Sequence, residues 1–176
     1  MEDKRPDNPF NQKNQYQKDF FTPRRIARIS ILIAISAVGA LIKIPSPTGT
    51  VALDSCTGYF AAVAFGWIEG AIIAGLGHLL TAFTTGFPLS LPVHLYIAVQ
   101  MVIYVSLFGI IARKINLILG IVVGVMLNGV LSSFLIIPFG GIGMATALLL
   151  PLTVGSLVNI IIAALAYKIV EKSNLL

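Results

Sequence analysis

Long apolar stretches alternate with short breaks rich in proline, glycine or charge along almost the whole chain. Each stretch approaches the roughly 20 residues that an α-helix needs to cross a bilayer. The pattern predicts helical spans at about Arg25–Ile44, Leu53–Gly66, Trp67–Phe83, Pro92–Ala112, Leu117–Ile137 and Pro151–Val170. Thr22 and Pro23 form a start signal for the first, as N-cap and first helical residue. The second is short for a full crossing. Met144–Leu150 is apolar but is followed by Pro151, so it is either a short re-entrant piece or an early start to the last helix. Gly66–Gly70, Gly86–Pro92, Arg113–Asn116 and Pro138–Gly141 are the remaining breaks. The expected fold is an all-α integral membrane protein, a six-transmembrane-helix bundle over 23–176. A flexible, polar tail is expected over 1–22.

Small residues recur on two of these helices. In the first span Ala27, Ser30, Ala34 and Ala37 fall three and four residues apart, which places them on one face. Small faces let helix backbones approach closely in lipid. This face serves packing within the chain or docking of a second membrane protein. Gly66, Gly70 and Ala74 repeat the spacing on the third span.

The break at Ile44–Tyr59 differs from the others. Pro45 and Pro47 stop a helix and stiffen an extended loop. Hydroxyl side chains and Asp54 come next, and Asp54 is the only acid between Asp19 and Glu69. Asp54 fits a helix N-cap and fits a solute contact; the two roles are compatible.

Composition narrows the class. Of 176 residues, 57% are hydrophobic and 11% charged, against roughly 25% charged in soluble domains. The formal charge of +5 does not indicate nucleic acid, because the basic residues cluster before Ile29 and at helix ends. Cys56 is the single cysteine, which rules out an intrachain disulfide and a cysteine-built metal site. No metal or other cofactor is expected. No phosphate-binding loop, His-Glu-x-x-His or Gly-x-Ser-x-Gly motif occurs.

Charge also orients the chain. With six spans, the basic tail, Arg113, Lys114, Lys168 and Lys172 share one side, and only Lys43 lies on the other. Excess Lys and Arg mark the cytoplasmic side, so both termini are expected there. Depth follows from a rise of about 1.5 Å per residue. His78 and Asn128 then lie roughly 16 Å from the cytoplasmic side, and Gln100 and Asn159 roughly 12 Å from the outer side. Thr50, Asp54, Thr85 and His94 stand above them. Singly, each is explained by an interhelical hydrogen bond. Their shared depth points to an outward-facing solute pocket, since buried polar groups in lipid must face a cavity or each other. A strongly anionic solute is disfavoured, because only Lys43 among the cations reaches that half.

Taken together, these features resemble the substrate-binding S component of an energy-coupling factor (ECF) transporter over about Arg24–Lys172. The residues that carry the resemblance are the small face of the first helix, the loop Pro45–Asp54, the glycine run Gly66–Gly75, and Leu150-Pro151 with Asn159 and Lys168. The resemblance implies a vitamin-binding subunit in a prokaryotic cell membrane. It implies partners too: a membrane coupling subunit docked on the first helix, and a cytoplasmic ATPase pair. The first loop would lid the pocket. Ala52–Ser55, Gly77–Ala82, Gly86–Leu89 and Leu91–His94 are similar to members assigned to cobalamin precursors such as α-ribazole. Family members often carry an acid near His78, so the solutes of better-known members do not transfer to this chain. Two other readings stand beside it. One is a membrane-embedded enzyme using His78 or His94 with Asp54; the other is an assembly subunit that binds no solute.

Overall fold

The computed structural model describes residues 22–173. These form α1 (Pro23–Gly39), α2 (Cys56–Ala64), α3 (Trp67–Thr84), α4 (Leu91–Lys114), α5 (Leu117–Leu135) and α6 (Ile137–Lys172). Except for Thr22, the tail expected over 1–22 lies outside the described residues. Thr22 caps α1, accepting the Arg25 backbone N–H at 3.3 Å, and Pro23 opens the helix. Four helices, α3 to α6, are long and apolar enough to cross a membrane. Large apolar side chains such as Ile31, Phe83, Ile118 and Leu150 remain exposed around the bundle. Water penalises such a surface and lipid accepts it.

The first two helices are shorter than the apolar pattern predicted. α1 ends at Gly39, and α2 has nine residues, about 14 Å of helix. The linking segment 40–55 makes up the difference by folding into the bundle, so that Val51, Ala52, Asp54 and Ser55 are buried. Irregular backbone survives at such depth only if its polar groups find partners within the protein. Here they do. Ile44 N–H donates to Val51 O at 2.9 Å, and Leu53 N–H to Ile42 O at 3.1 Å. Ser36 on α1 donates its hydroxyl to Asp54 O at 2.6 Å, and Asn159 on α6 donates its amide to Ala52 O at 2.9 Å.

In the second half one of the two readings of Met144–Leu150 holds, the early start of the last helix, and α5 carries a turn that was not expected. α6 begins at Ile137 and runs through Pro151, so Met144–Leu150 belongs to the last helix. The break sits earlier, at Gly141, whose φ of 71° suits a residue without Cβ. Proline is tolerated inside membrane helices because neighbouring groups satisfy the freed carbonyl. α5 contains a π-helical turn over Met126–Leu131.

Close packing follows the small residues. Gly58 on α2 faces Ala74 on α3, and a Cβ there would lie 2.8 Å from the Ala74 methyl. Gly70 on α3 is likewise closed off by Ala62. The face predicted on the third span is therefore its seam with α2. One apolar core joins Tyr59, Val63, Val105, Phe108 and Ile160 across α2, α4 and α6. A smaller cluster of Val93, Ile136, Ala145 and Leu148 packs α4 against the start of α6.

Candidate functional site: a polar cavity between the first loop and four helices

A cavity of about 760 Å³, open mouth included, lies between the 40–55 segment and α3, α4, α5 and α6. Each wall has its own source. The loop supplies Thr48, Thr50, Asp54 and Ser55; α3 supplies His78; α4 supplies Tyr96 and Gln100; α5 supplies Asn128 and Ser132; α6 supplies Ser156 and Asn159. Apolar side chains including Ile97, Met101, Leu148 and Leu152 complete it. The lining includes no lysine or arginine, and Asp54 is its only acid.

The polar side chains are tied to one another across helices. The π-helical turn carries Asn128, whose amide donates to Ser156 Oγ at 2.9 Å. An extra residue in a helical turn shifts the side chains beyond it, and such turns are frequent at functional sites. Ser132 donates to Gln100 Oε1 at 3.4 Å, which leaves the Gln100 amide N–H groups available. Asn159 donates to Ala52 O and to Gly155 O, at 2.9 and 2.8 Å. These two bonds fix the orientation of its amide. Asp54 is buried and accepts a hydrogen bond from the Thr81 hydroxyl of α3. It does not cap α2: the N-cap position is Ser55, without a side-chain bond. Thr48 and Thr50 share a hydroxyl contact of 2.8 Å at the loop.

Six of the eight side chains singled out in the sequence meet at this cavity: Thr50, Asp54, His78, Gln100, Asn128 and Asn159. Thr85 and His94 do not line it. Thr85 stands at the C-cap of α3, where its hydroxyl folds back onto Thr81 O and Ala82 O at 2.9 and 3.0 Å. His94 is wholly buried behind His78, with Nδ1 3.2 Å from His78 Nε2. Asp54 pairs with Thr81 and His78 with His94, so the acid–imidazole pair that an enzymatic reading required is not formed.

Thr48, Tyr96, Ser55, Ser132 and Ser156 join the lining without having been singled out as site residues. For two of them a signal was present. Ser132 lies four residues after Asn128, and Ser156 three before Asn159, which puts each on the same helical face as its neighbour.

On α1, Ala27, Ser30 and Ala34 are exposed and Ala37 is half-buried, opposite the buried Leu32 and Ser36. The N-terminal end of the helix is held by charge. Arg25 and Arg28 both reach the buried Glu69 at the start of α3, at 2.8 and 2.6 Å. Arg28 also covers the Phe65 ring, 3.9 Å from its centroid. Arg113 donates to Val63 O at 2.7 Å and closes the last turn of α2.

A helical bundle with a polar chamber under a folded loop defines a multi-pass membrane protein built to hold a small solute. The chain matches the family described as ECF transporter, substrate-specific component, over residues 24–171, and it belongs to that family. It is therefore a membrane subunit that binds substrate for an ECF transporter, a family of transporter subunits and not of enzymes. Such components pair with membrane and ATPase components. No curated protein and no solved structure matches the chain.

Proposed function

We propose that this chain captures a water-soluble vitamin or vitamin precursor on the outer face of a prokaryotic cell membrane, with α-ribazole or a related cobalamin precursor as the solute. Six crossings with both termini cytoplasmic fit the arrangement of the helix ends. The start of α1, the end of α2, the start of α3 and the end of α4 meet around Glu69 and Arg113. In this reading the cavity opens on the outer side, beside the 40–55 loop that helps to line it.

The observation that carries the reading is the lining itself. Thr50, Asp54, His78, Gln100, Asn128 and Asn159 come from five separate segments and converge on one chamber without a single cation. A neutral, hydroxyl-bearing solute with an aromatic base finds acceptors and donors there, beside apolar side chains for its ring. A phosphate or carboxylate finds no counter-charge, and an unpaired buried anion is costly. The loop is the lid, held shut by Asn159 and Ser36. Ala27, Ser30, Ala34 and Ala37 on α1 form the docking face for the coupling subunit, behind which the ATPase pair supplies the energy.

Equilibrium binding of radiolabelled α-ribazole to the purified protein tests the assignment. Saturable binding that falls about tenfold in Gln100→Ala, the loss of one hydrogen bond of about 1.4 kcal/mol, supports it. Binding unchanged in both Gln100→Ala and Asn128→Ala would move the solute away from this cavity.

A further inference from the structure

The contact between His78 and His94 fixes which atoms the cavity offers. Leu89 presents a backbone N–H to His94 Nε2 at 3.5 Å. A backbone N–H only donates, so that nitrogen accepts, and a neutral His94 then carries its proton on Nδ1. The same Nδ1 lies 3.2 Å from His78 Nε2 and donates to it. His78 therefore carries its own proton on Nδ1. That N–H has no protein acceptor among the described residues, and His78 lines the cavity.

The loop that aims Leu89 is held in costly geometry. Phe87 has φ 51° and Ser90 φ 74°, left-handed values at two residues with Cβ, on either side of the Pro88-Leu89 pair. Such conformations persist where the surroundings over-determine them, and they cluster at ligand clamps. Here the Phe87 ring stands 5.8 Å from the His94 ring and packs it edge to face. Ser90 N–H closes the turn on Phe87 O at 2.8 Å. His94 itself is wholly buried. It touches His78 and not the chamber.

We propose that His94 is a positioning residue that locks His78 as a fixed hydrogen-bond donor, so the cavity selects an uncharged solute bearing a lone-pair acceptor towards α3. An unprotonated ring nitrogen of an azole or a carbonyl oxygen meets that demand. A ring alkylated or protonated at that acceptor nitrogen does not. The proposal rests on the solute-binding reading above and adds the polarity of one wall to it.

The sequence contains two histidines, so the chain 1–176, carried on a histidine-free tag and labelled with ¹⁵N-histidine, gives two rings to read. Long-range ¹H–¹⁵N correlation in nanodiscs reports the tautomer of each. The expected result is Nδ1–H on both, and loss of the fixed tautomer at His78 in His94→Phe. Nε2–H at His78 in the unsubstituted protein overturns the proposal. α-Ribazole is the second probe. Its affinity should fall about tenfold in His94→Phe and return to within about threefold in His94→Asn, whose amide restores the donor to His78. Equal affinity in all three proteins also overturns the proposal. If the unsubstituted protein does not bind α-ribazole, the solute assignment fails alone, and the tautomers decide this inference by themselves.

Discussion

The two ends of the bundle treat polar groups in opposite ways. Around Glu69 the charges are matched. One buried carboxylate receives two guanidinium groups, from Arg25 and Arg28, and Arg113 spends its donor on the last turn of α2. At the other end the cavity is polar but almost without charge, and several of its groups are only partly used. Asn128 has given its donor to Ser156, Gln100 retains its own, and His78 keeps one ring N–H free. A saturated cluster holds helices together. A partly saturated one leaves hydrogen-bonding capacity for a visitor. The difference separates the groups that build the bundle from those that serve its solute.

The largest effect on the isolated protein is expected at the matched end. Glu69→Ala leaves two partly exposed arginines without their shared acceptor, and each hydrogen bond to a charged group that is lost costs about 1.5–3 kcal/mol. Thermal unfolding in detergent should show the loss, while solute affinity of the folded fraction stays within about threefold of the original. A parallel collapse of affinity at full folding would merge the two regions and break the distinction. Next comes Asn159→Leu, which removes the amide that holds Ala52 O and so frees the loop from α6. Leaving a buried carbonyl unsatisfied costs about 1–3 kcal/mol. Faster proteolysis within 40–55, together with weaker solute binding, is the expected pair of readouts. Smaller again is Gly70→Val, which forces α3 away from Ala62; overpacking of this kind costs about 1–3 kcal/mol. Melting temperature should fall while selectivity among solutes is kept.

The smallest effect on the isolated chain is expected on the outer face of α1. Ala34→Trp adds bulk to an exposed position and should leave both stability and solute affinity unchanged, yet abolish uptake in cells carrying the whole transporter. Loss of affinity in the purified variant would make this face part of internal packing. Normal uptake would take the coupling subunit off it.

Much of the architecture was legible because lipid imposes simple rules. The Thr22-Pro23 start, the breaks before Leu91 and after Lys114, and the shared level of His78, Gln100, Asn128 and Asn159 all follow from apolar run lengths and a fixed rise per residue. What escaped was set by contacts between distant segments. Nothing local announces that 40–55 folds inward; its burial depends on Ser36 and Asn159 meeting it. The π-helical turn at Met126–Leu131 needs only one residue of excess and leaves no mark in hydropathy. His94 has the same residue type and apolar setting as His78, and only the turn through Phe87 and Ser90 assigns one to the wall and the other behind it. Pro151 left two readings open for Met144–Leu150, because a proline fits both a helix start and a membrane-helix interior; in the bundle the helix runs through it and the break falls at Gly141.

The most direct test of the central claim is the thermal stability of the purified protein against a panel of water-soluble vitamins and cobalamin precursors, each uncharged compound set beside its phosphorylated form. A ligand that binds only the folded state at about 100 times its Kd adds about 2.7 kcal/mol of stability. The account predicts a clear rise with an uncharged member, α-ribazole foremost, and none with its phosphate. A well-folded preparation that responds to no member, or responds equally to the phosphorylated one, would contradict it.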